Sequence, residues 1–311
     1  MTTKPGIEEV FGRRLTYPDP DARDRYAKLV GIDPHKQSLY KLLSILIFPH
    51  SLEVWARKFH PKAHGLTDIV MERPPLVVLA GDVGCGKTAL AESIGDALAR
   101  DHKIDLTLFP LSLSTRGQGR VGEMTQLLTA AFDHAVNEGS KLKDRTGHAR
   151  GGVLLLVDEA DAIAQSREAA QMHHEDRAGV NAFIRGVDQV SAARIPAAVI
   201  MCTNRLKALD PAVKRRAAEI LIFDRPTETQ RHQLLHSALG PLGFDVTSIN
   251  TLVKVTGPHN ERRYGFTFSD IVQRLLPAIL LDAYPSRAVD AIRAIAVAEE
   301  IVPTPPFTEQ E

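Results

Sequence analysis

The run Gly81-Asp82-Val83-Gly84-Cys85-Gly86-Lys87-Thr88 constrains this chain more than any other stretch. Residues 76–80 before it, Leu-Val-Val-Leu-Ala, carry the short continuous apolar pattern of a buried strand. After it, Leu90, Ile94 and Leu98 recur at the spacing of one helix face. Glycines between a strand and a helix let the backbone curl until successive N–H groups converge on one anion, at the positive end of the helix. Asp82, Val83, Gly84, Cys85, Gly86, Lys87, Thr88 and Ala89 are therefore read as the phosphate-binding segment. Lys87 is placed to reach the β- and γ-phosphates, and the Thr88 hydroxyl to ligate Mg²⁺.

The rest of the chain narrows the choice. Its 311 residues leave room for one large or two ordinary domains. Lys plus Arg (38) equals Asp plus Glu (38), so no global field recruits nucleic acid or a membrane. The two cysteines, Cys85 in the loop and Cys202 in an apolar run, make no disulfide scaffold and fit a reducing cytosol. Cys85 reads as a small residue tolerated by the loop, not as a redox switch. The N-terminal residues lack the apolar stretch of a signal peptide, and no apolar run approaches the ~20 residues that span a bilayer. A soluble cytoplasmic protein is expected.

In chain order, residues 1–27 are polar, with Pro18 and Pro20 as helix breakers, and read as an N-terminal arm. Asp33 and Pro34 suit the start of a helix whose face carries Leu39, Leu42, Leu43 and Leu46. Residues 62–75 read as a loop. Strands are expected at 76–80, 104–111, 153–157, 197–202 and 219–223, alternating with helical patterns, which argues for a parallel sheet with helices on both faces. Thr227-Glu228-Thr229-Gln230 is a capping box after the short Asp224-Arg225-Pro226 link. It opens an all-helical segment, so the expected domains are residues 28–225, α/β, and 226–302, all-α. Residues 303–311, with three prolines, read as a disordered tail.

A phosphate loop holds a nucleotide but does not hydrolyse it. Hydrolysis needs a group to hold Mg²⁺, one to activate water, and positive charge at the γ-phosphate. Asp158, at the end of the apolar run 153–157, is placed to hold Mg²⁺ through its water shell, and Glu159 to act as general base. Asp161 reads as a helix cap. His173-His174-Glu175-Asp176 reads as a solvated loop, since adjacent residues do not converge on one ion.

Residues 81–88, 153–159 and the pair Thr203-Asn204 after the next strand resemble the Walker A, Walker B and sensor 1 motifs of the AAA+ ATPases. The resemblance spans residues 28–300 and implies a five-stranded parallel sheet in the order 5-1-4-3-2 with a helical lid. It also implies ATP and Mg²⁺ as cofactors, Asn204 as the residue that orients water, and Val30 and Gly31 (with Ile32) at the adenine. Leu209-Asp210-Pro211-Ala212-Val213-Lys214-Arg215-Arg216 looks like the segment that carries an arginine finger into a neighbouring subunit, which implies a homo-hexamer. Either Arg215 or Arg216 fits that role.

The helix pattern Val180-Asn181-Ala182-Phe183-Ile184-Arg185-Gly186-Val187-Asp188-Gln189-Val190 is similar to the pachytene-checkpoint ATPases, which remodel HORMA-domain proteins. The bacterial version of that family, found in antiphage operons, suits a chain without a large N-terminal domain. Two places depart from the family pattern. Gly119-Arg120-Val121-Gly122 matches the frame of the pore loop, but Arg120 stands where an aromatic residue is expected. Arg120 and Val121 are the residues read as gripping substrate. At sensor 2, Asp270 and Ile271 stand in place of Gly-Arg, and Arg274 is not assigned to the nucleotide. A nucleic-acid-dependent ATPase such as a helicase loader or initiator, and a nucleotide-gated scaffold, remain as alternatives.

Overall fold

The computed structural model describes residues 10–62, 64–113, 123–143, 149–164, 174–205, 207, 209–259 and 262–307. The expected pore-loop residues Arg120 and Val121 lie outside the described residues, as does His173.

A six-stranded sheet holds β1 (Leu15–Tyr17), β2 (Leu76–Gly81), β3 (Asp105–Ser112), β4 (Gly151–Asp158), β5 (Ala197–Thr203) and β6 (Ala217–Phe223) in the order β1-β3-β4-β5-β2-β6. Numbered from β2, the last five strands run 5-1-4-3-2 when read from β6, the expected order. The β3–β4, β4–β5 and β2–β5 pairs are parallel. Their registers set Ser112 against Asp158 and Ala80 against Thr203, so the strand ends that carry the motifs share one edge of the sheet. Residues 153–157 are at most 1% exposed, as an all-apolar strand covered on both faces must be. Over them pack the helices Glu123–Lys141 and His174–Ala193, with Phe132 and Phe183 meeting edge to face at 5.7 Å. Gly186 lets the two helices approach this closely, because a Cβ there would lie 2.1 Å from the Phe132 ring.

Residues 174–176, expected in a loop, begin the helix His174–Ala193, and three further readings need correction. Part of the arm is ordered: β1 adds a sixth, antiparallel strand beside β3, and Pro20–Lys28 is a helix. Proline is no breaker at the first helical position, where its missing N–H has no partner to lose. Asp19 takes the first free N–H groups, from Asp21 at 3.2 Å and Ala22 at 3.1 Å. Tyr17 is 2% exposed and its hydroxyl donates to the Glu92 carbonyl. The second correction is at residues 62–75, where His64–Met71 is a helix. The third is the tail, which is laid down as far as Phe307. Thr304 donates its N–H and its hydroxyl to the Asp270 carboxylate, at 3.1 and 2.7 Å.

The chain divides into two compact units: residues 1–26, 34–80 and 88–222, and residues 27–33, 81–87 and 223–311. The second is helical, built from Glu228–Leu239, Val246–Val255, Leu276–Ala283 and Ala291–Glu300, with a π-helical turn at Asp270–Leu275. Leu235, Leu252, Phe266, Ile271 and Leu275 are fully buried in its core. Thr227 and Gln230 form the expected capping box, with side-chain to backbone bonds of 3.3 and 2.8 Å. No helix among the described residues is long and apolar enough to cross a membrane.

Candidate nucleotide site

Residues 81–87 belong to the second unit, together with residues 27–33 and 223–311. Gly81 and Gly84 have φ of +146° and +73°, and neither tolerates a side chain. A Cβ at Gly81 would lie 2.0 Å from the Phe223 carbonyl oxygen, and one at Gly84 2.8 Å from Thr267 Oγ1. Both glycines are needed for the backbone path itself. Lys87 is 7% exposed and its ammonium donates to the carbonyls of Gly81 (3.0 Å) and Asp82 (2.7 Å). The Asp82 carboxylate accepts from Val83 N at 2.8 Å and from Arg225 Nε at 2.6 Å. Burial, and then the negative charge of Asp82, push the Cys85 thiol up to about 12, so it stays protonated. Gly31, with φ +87°, sits by Phe268 and Gln230, whose Nε2 donates to the Gly31 carbonyl at 2.6 Å. A Cβ at Gly86 would be 3.8 Å from Ile32, so the Val30-Gly31-Ile32 segment and the loop meet within this unit.

In the first unit the strand ends supply the carboxylates. Asp158 Oδ1 accepts from the Thr88 hydroxyl at 3.1 Å and from Glu159 N at 2.9 Å. Burial raises the Asp158 carboxyl above the usual range, and the charges of Glu159 and Glu92 add to the rise. Glu159 is exposed, with φ +52°, a left-handed conformation that is rare for a residue with a Cβ. Ala160 N donates to the Cys202 carbonyl at 2.9 Å and ties the end of β4 to β5. Asp161 is more than a cap. Its carboxylate accepts from the Thr203 hydroxyl (2.9 Å), from Asn204 N (2.7 Å) and from Asn204 Nδ2 (3.0 Å). Thr88, Asp158, Glu159 and Asn204 are thus held by short bonds along one sheet edge, while Ala89 beside them is exposed.

Pro211–Arg216 is a short helix capped by Asp210, which accepts from Ala212 N at 2.7 Å. Arg215 is exposed. Arg216 instead makes a two-pronged ion pair with Asp188 of its own chain, at 2.6 and 2.9 Å. Arg274, at the sensor 2 region, donates to Asp270 at 2.9 Å, and Asp270 is 1% exposed. Sequence reasoning missed Asp161, Asp188 and Arg225. Asp188 lay in a helix already singled out by resemblance, but no pattern near any of the three named its partner.

The residues fit a bound nucleotide. Gly81 and Gly84 are packed where no Cβ fits, Lys87 is held against the loop, and Arg225 Nη2 is a buried donor with no hydrogen-bond partner among the described residues. Among the described residues no three His, Cys, Asp or Glu side chains gather as a metal-holding group. Mg²⁺, which keeps most of its water, needs no such group, and Thr88 and Asp158, joined at 3.1 Å, are residues that could hold it.

The AAA family, ATPases associated with various cellular activities, matches residues 77–225. The chain is 60% identical, over all 311 residues and the whole of both proteins, to CD-NTase-associated protein 6 of Escherichia coli strain MS 115-1. A solved structure described as the E. coli MS115-1 HORMA:CdnC:Trip13 complex matches with a TM-score of 0.90 and 59% identity, over 98% of this chain and 100% of that one. Another, of Rhizobiales Trip13, matches with a TM-score of 0.76 and 50% identity, over 95% and 100%. With this agreement across its length and the motifs in place at the sheet edge, the chain belongs to the AAA ATPases and, within them, to the family of CD-NTase-associated protein 6.

Proposed function

We propose that the protein is a cytoplasmic, Mg²⁺-dependent ATPase that works as a homo-hexameric ring. It disassembles or partly unfolds a HORMA-domain partner and so regulates a bacterial antiphage signalling system. The observation that carries this reading is the 59% identity over 98% of the chain to a structure described as a HORMA:CdnC:Trip13 complex. Likeness at that level spans nearly the whole chain and is not confined to the ATP site.

In this reading Lys87 and the N–H groups of residues 84–88 bind the phosphates, and Val30 and Gly31 flank the adenine. Thr88 and Asp158 hold Mg²⁺, which supplies charge neutralisation at the transferred phosphoryl group. Glu159 takes a proton from the attacking water, and Asn204, held by Asp161, fixes where that water sits. Arg215 or Arg216 of a neighbouring subunit supplies positive charge in trans. Arg120 and Val121 grip the substrate chain.

The test is to mix the ATPase with a purified HORMA–CdnC complex, the kind of partner named in the matched structure, and follow that complex by size-exclusion chromatography. Wild type with ATP and Mg²⁺ should break the complex; Glu159→Gln should not. A complex equally stable with and without ATP hydrolysis overturns the remodelling role. Turnover stimulated by DNA and indifferent to the HORMA protein would favour a nucleic-acid-dependent ATPase instead.

A further inference from the structure

Asp82 puts a carboxylate inside a loop built to bind a polyanion, which is adverse unless the charge is met. Within the unit that holds residues 81–87, three donors converge on it. Val83 N and Phe307 N reach Oδ1 at 2.8 and 3.1 Å, and Arg225 Nε reaches Oδ2 at 2.6 Å. The pair is largely out of water, with the Arg225 side chain 14% exposed and that of Asp82 17%. Arg225 is in turn fixed by the Gly265 carbonyl, at 2.7 Å from Nη1, and by the Tyr264 ring, 5.0 Å beneath the guanidinium. Further round the same loop, Ser269 N donates to the Gly84 carbonyl at 3.0 Å.

We infer that Arg225 is a positioning residue for the phosphate loop: it neutralises Asp82 and fixes its side chain, so that the loop's affinity for a nucleoside triphosphate depends on Arg225. Phe307 extends this dependence to the segment at residues 303–307. An unpaired, poorly solvated carboxylate beside the phosphates would repel them. The inference rests on reading residues 81–88 as the ATP site and adds what tunes it.

The experiment measures ATP binding to the full chain by calorimetry with Mg²⁺, for wild type, Arg225→Gln, Asp82→Asn, the double variant and Phe307→Pro. Arg225→Gln should weaken ATP by about tenfold or more, the effect of one uncompensated close charge. Adding Asp82→Asn should restore most of the affinity, a rescue that a purely structural role for Arg225 does not give. Asp82→Asn alone should bind ATP at least as tightly as wild type, and this arm holds even where Arg225→Gln fails to fold. Phe307→Pro, which removes the N–H donor, should weaken ATP by less than Arg225→Gln. Unchanged affinity in Arg225→Gln, no rescue in the double variant, or weaker binding in Asp82→Asn overturns the inference while leaving the ATP site standing. Wild type that binds no ATP overturns both.

Discussion

Asp161 holds Asn204 twice, by its backbone N–H at 2.7 Å and by its side-chain Nδ2 at 3.0 Å. An ionised carboxylate only accepts, so the Asn204 amide must turn Nδ2 to Asp161. This fixes how the amide is oriented and, in the proposed mechanism, which side of it the attacking water would meet. Asp161→Asn offers a donor in place of that acceptor and forces the amide to flip or shift. Displacement of this kind lowers turnover by about 100-fold. Steady-state kinetics should show the loss in kcat with little change in the KM for ATP. A loss confined to KM would assign Asp161 to binding instead.

Glu159 stands at φ +52°, and a non-glycine residue in that region carries about 1–3 kcal/mol of backbone strain. Strain of this size persists only where surrounding bonds enforce it, here through Asp158 before and Ala160 after. Glu159→Gln should keep ATP binding and lose turnover by about 10²–10⁴, the usual contribution of a general base. Glu159→Gly should be just as inactive yet melt no lower than Glu159→Gln, because glycine occupies the left-handed region at little cost. Thermal melts of the two variants check this directly.

Arg215 and Arg216 are adjacent in sequence but stand in different surroundings. Arg216 is paired with Asp188 by two bonds of 2.6 and 2.9 Å, and the pair raises its already high pKa. Arg215 is exposed at the end of the Asp210-capped helix, which favours it over Arg216 as the proposed finger. Arg215→Ala should therefore lower ATPase by about 10³ or more, as loss of an arginine finger does, with ATP binding retained. Arg216→Ala should mainly lower the melting temperature. Reversal of the two outcomes, measured by turnover and melting, would move the finger to Arg216 and make its bond to Asp188 a resting contact.

The reach of sequence reasoning follows from the range of the forces involved. The strands at 76–80, 153–157 and 197–202 were legible because each is a continuous apolar run, the strand order only through the resemblance to the AAA+ ATPases, and the loop and Asp158-Glu159 because their chemistry is local. β1 and the helix Pro20–Lys28 were not legible, because they are held by distant partners such as Glu92 and Asp96. The helix His64–Met71 was missed for a different reason. It leaves Leu66 and Ile69 more than 60% exposed, so its apolar residues mark no core-facing stripe. In the site, the bonds that position the motif residues join places 43 residues apart for Asp161–Asn204 and 143 apart for Asp82–Arg225. No spacing rule covers such pairs.

Asp270 carries the last prediction. It is 1% exposed and accepts from Thr267 N (3.0 Å), Thr304 N (3.1 Å), the Thr304 hydroxyl (2.7 Å) and Arg274 (2.9 Å). Burial alone would raise its pKa, but these bonds outweigh burial and hold the carboxyl below the usual range. A group with a depressed folded pKa contributes stability above its unfolded pKa and loses it as pH falls through the folded value. Asp270→Asn should thus destabilise the helical unit by about 3 kcal/mol at neutral pH, as breaking a buried charged network does. The gap between wild type and variant should close as the pH is lowered below about 4, the ordinary Asp range. Denaturant melts from pH 7 to pH 3 measure that gap. If it is constant with pH, Asp270 acts through shape and hydrogen bonding without its charge.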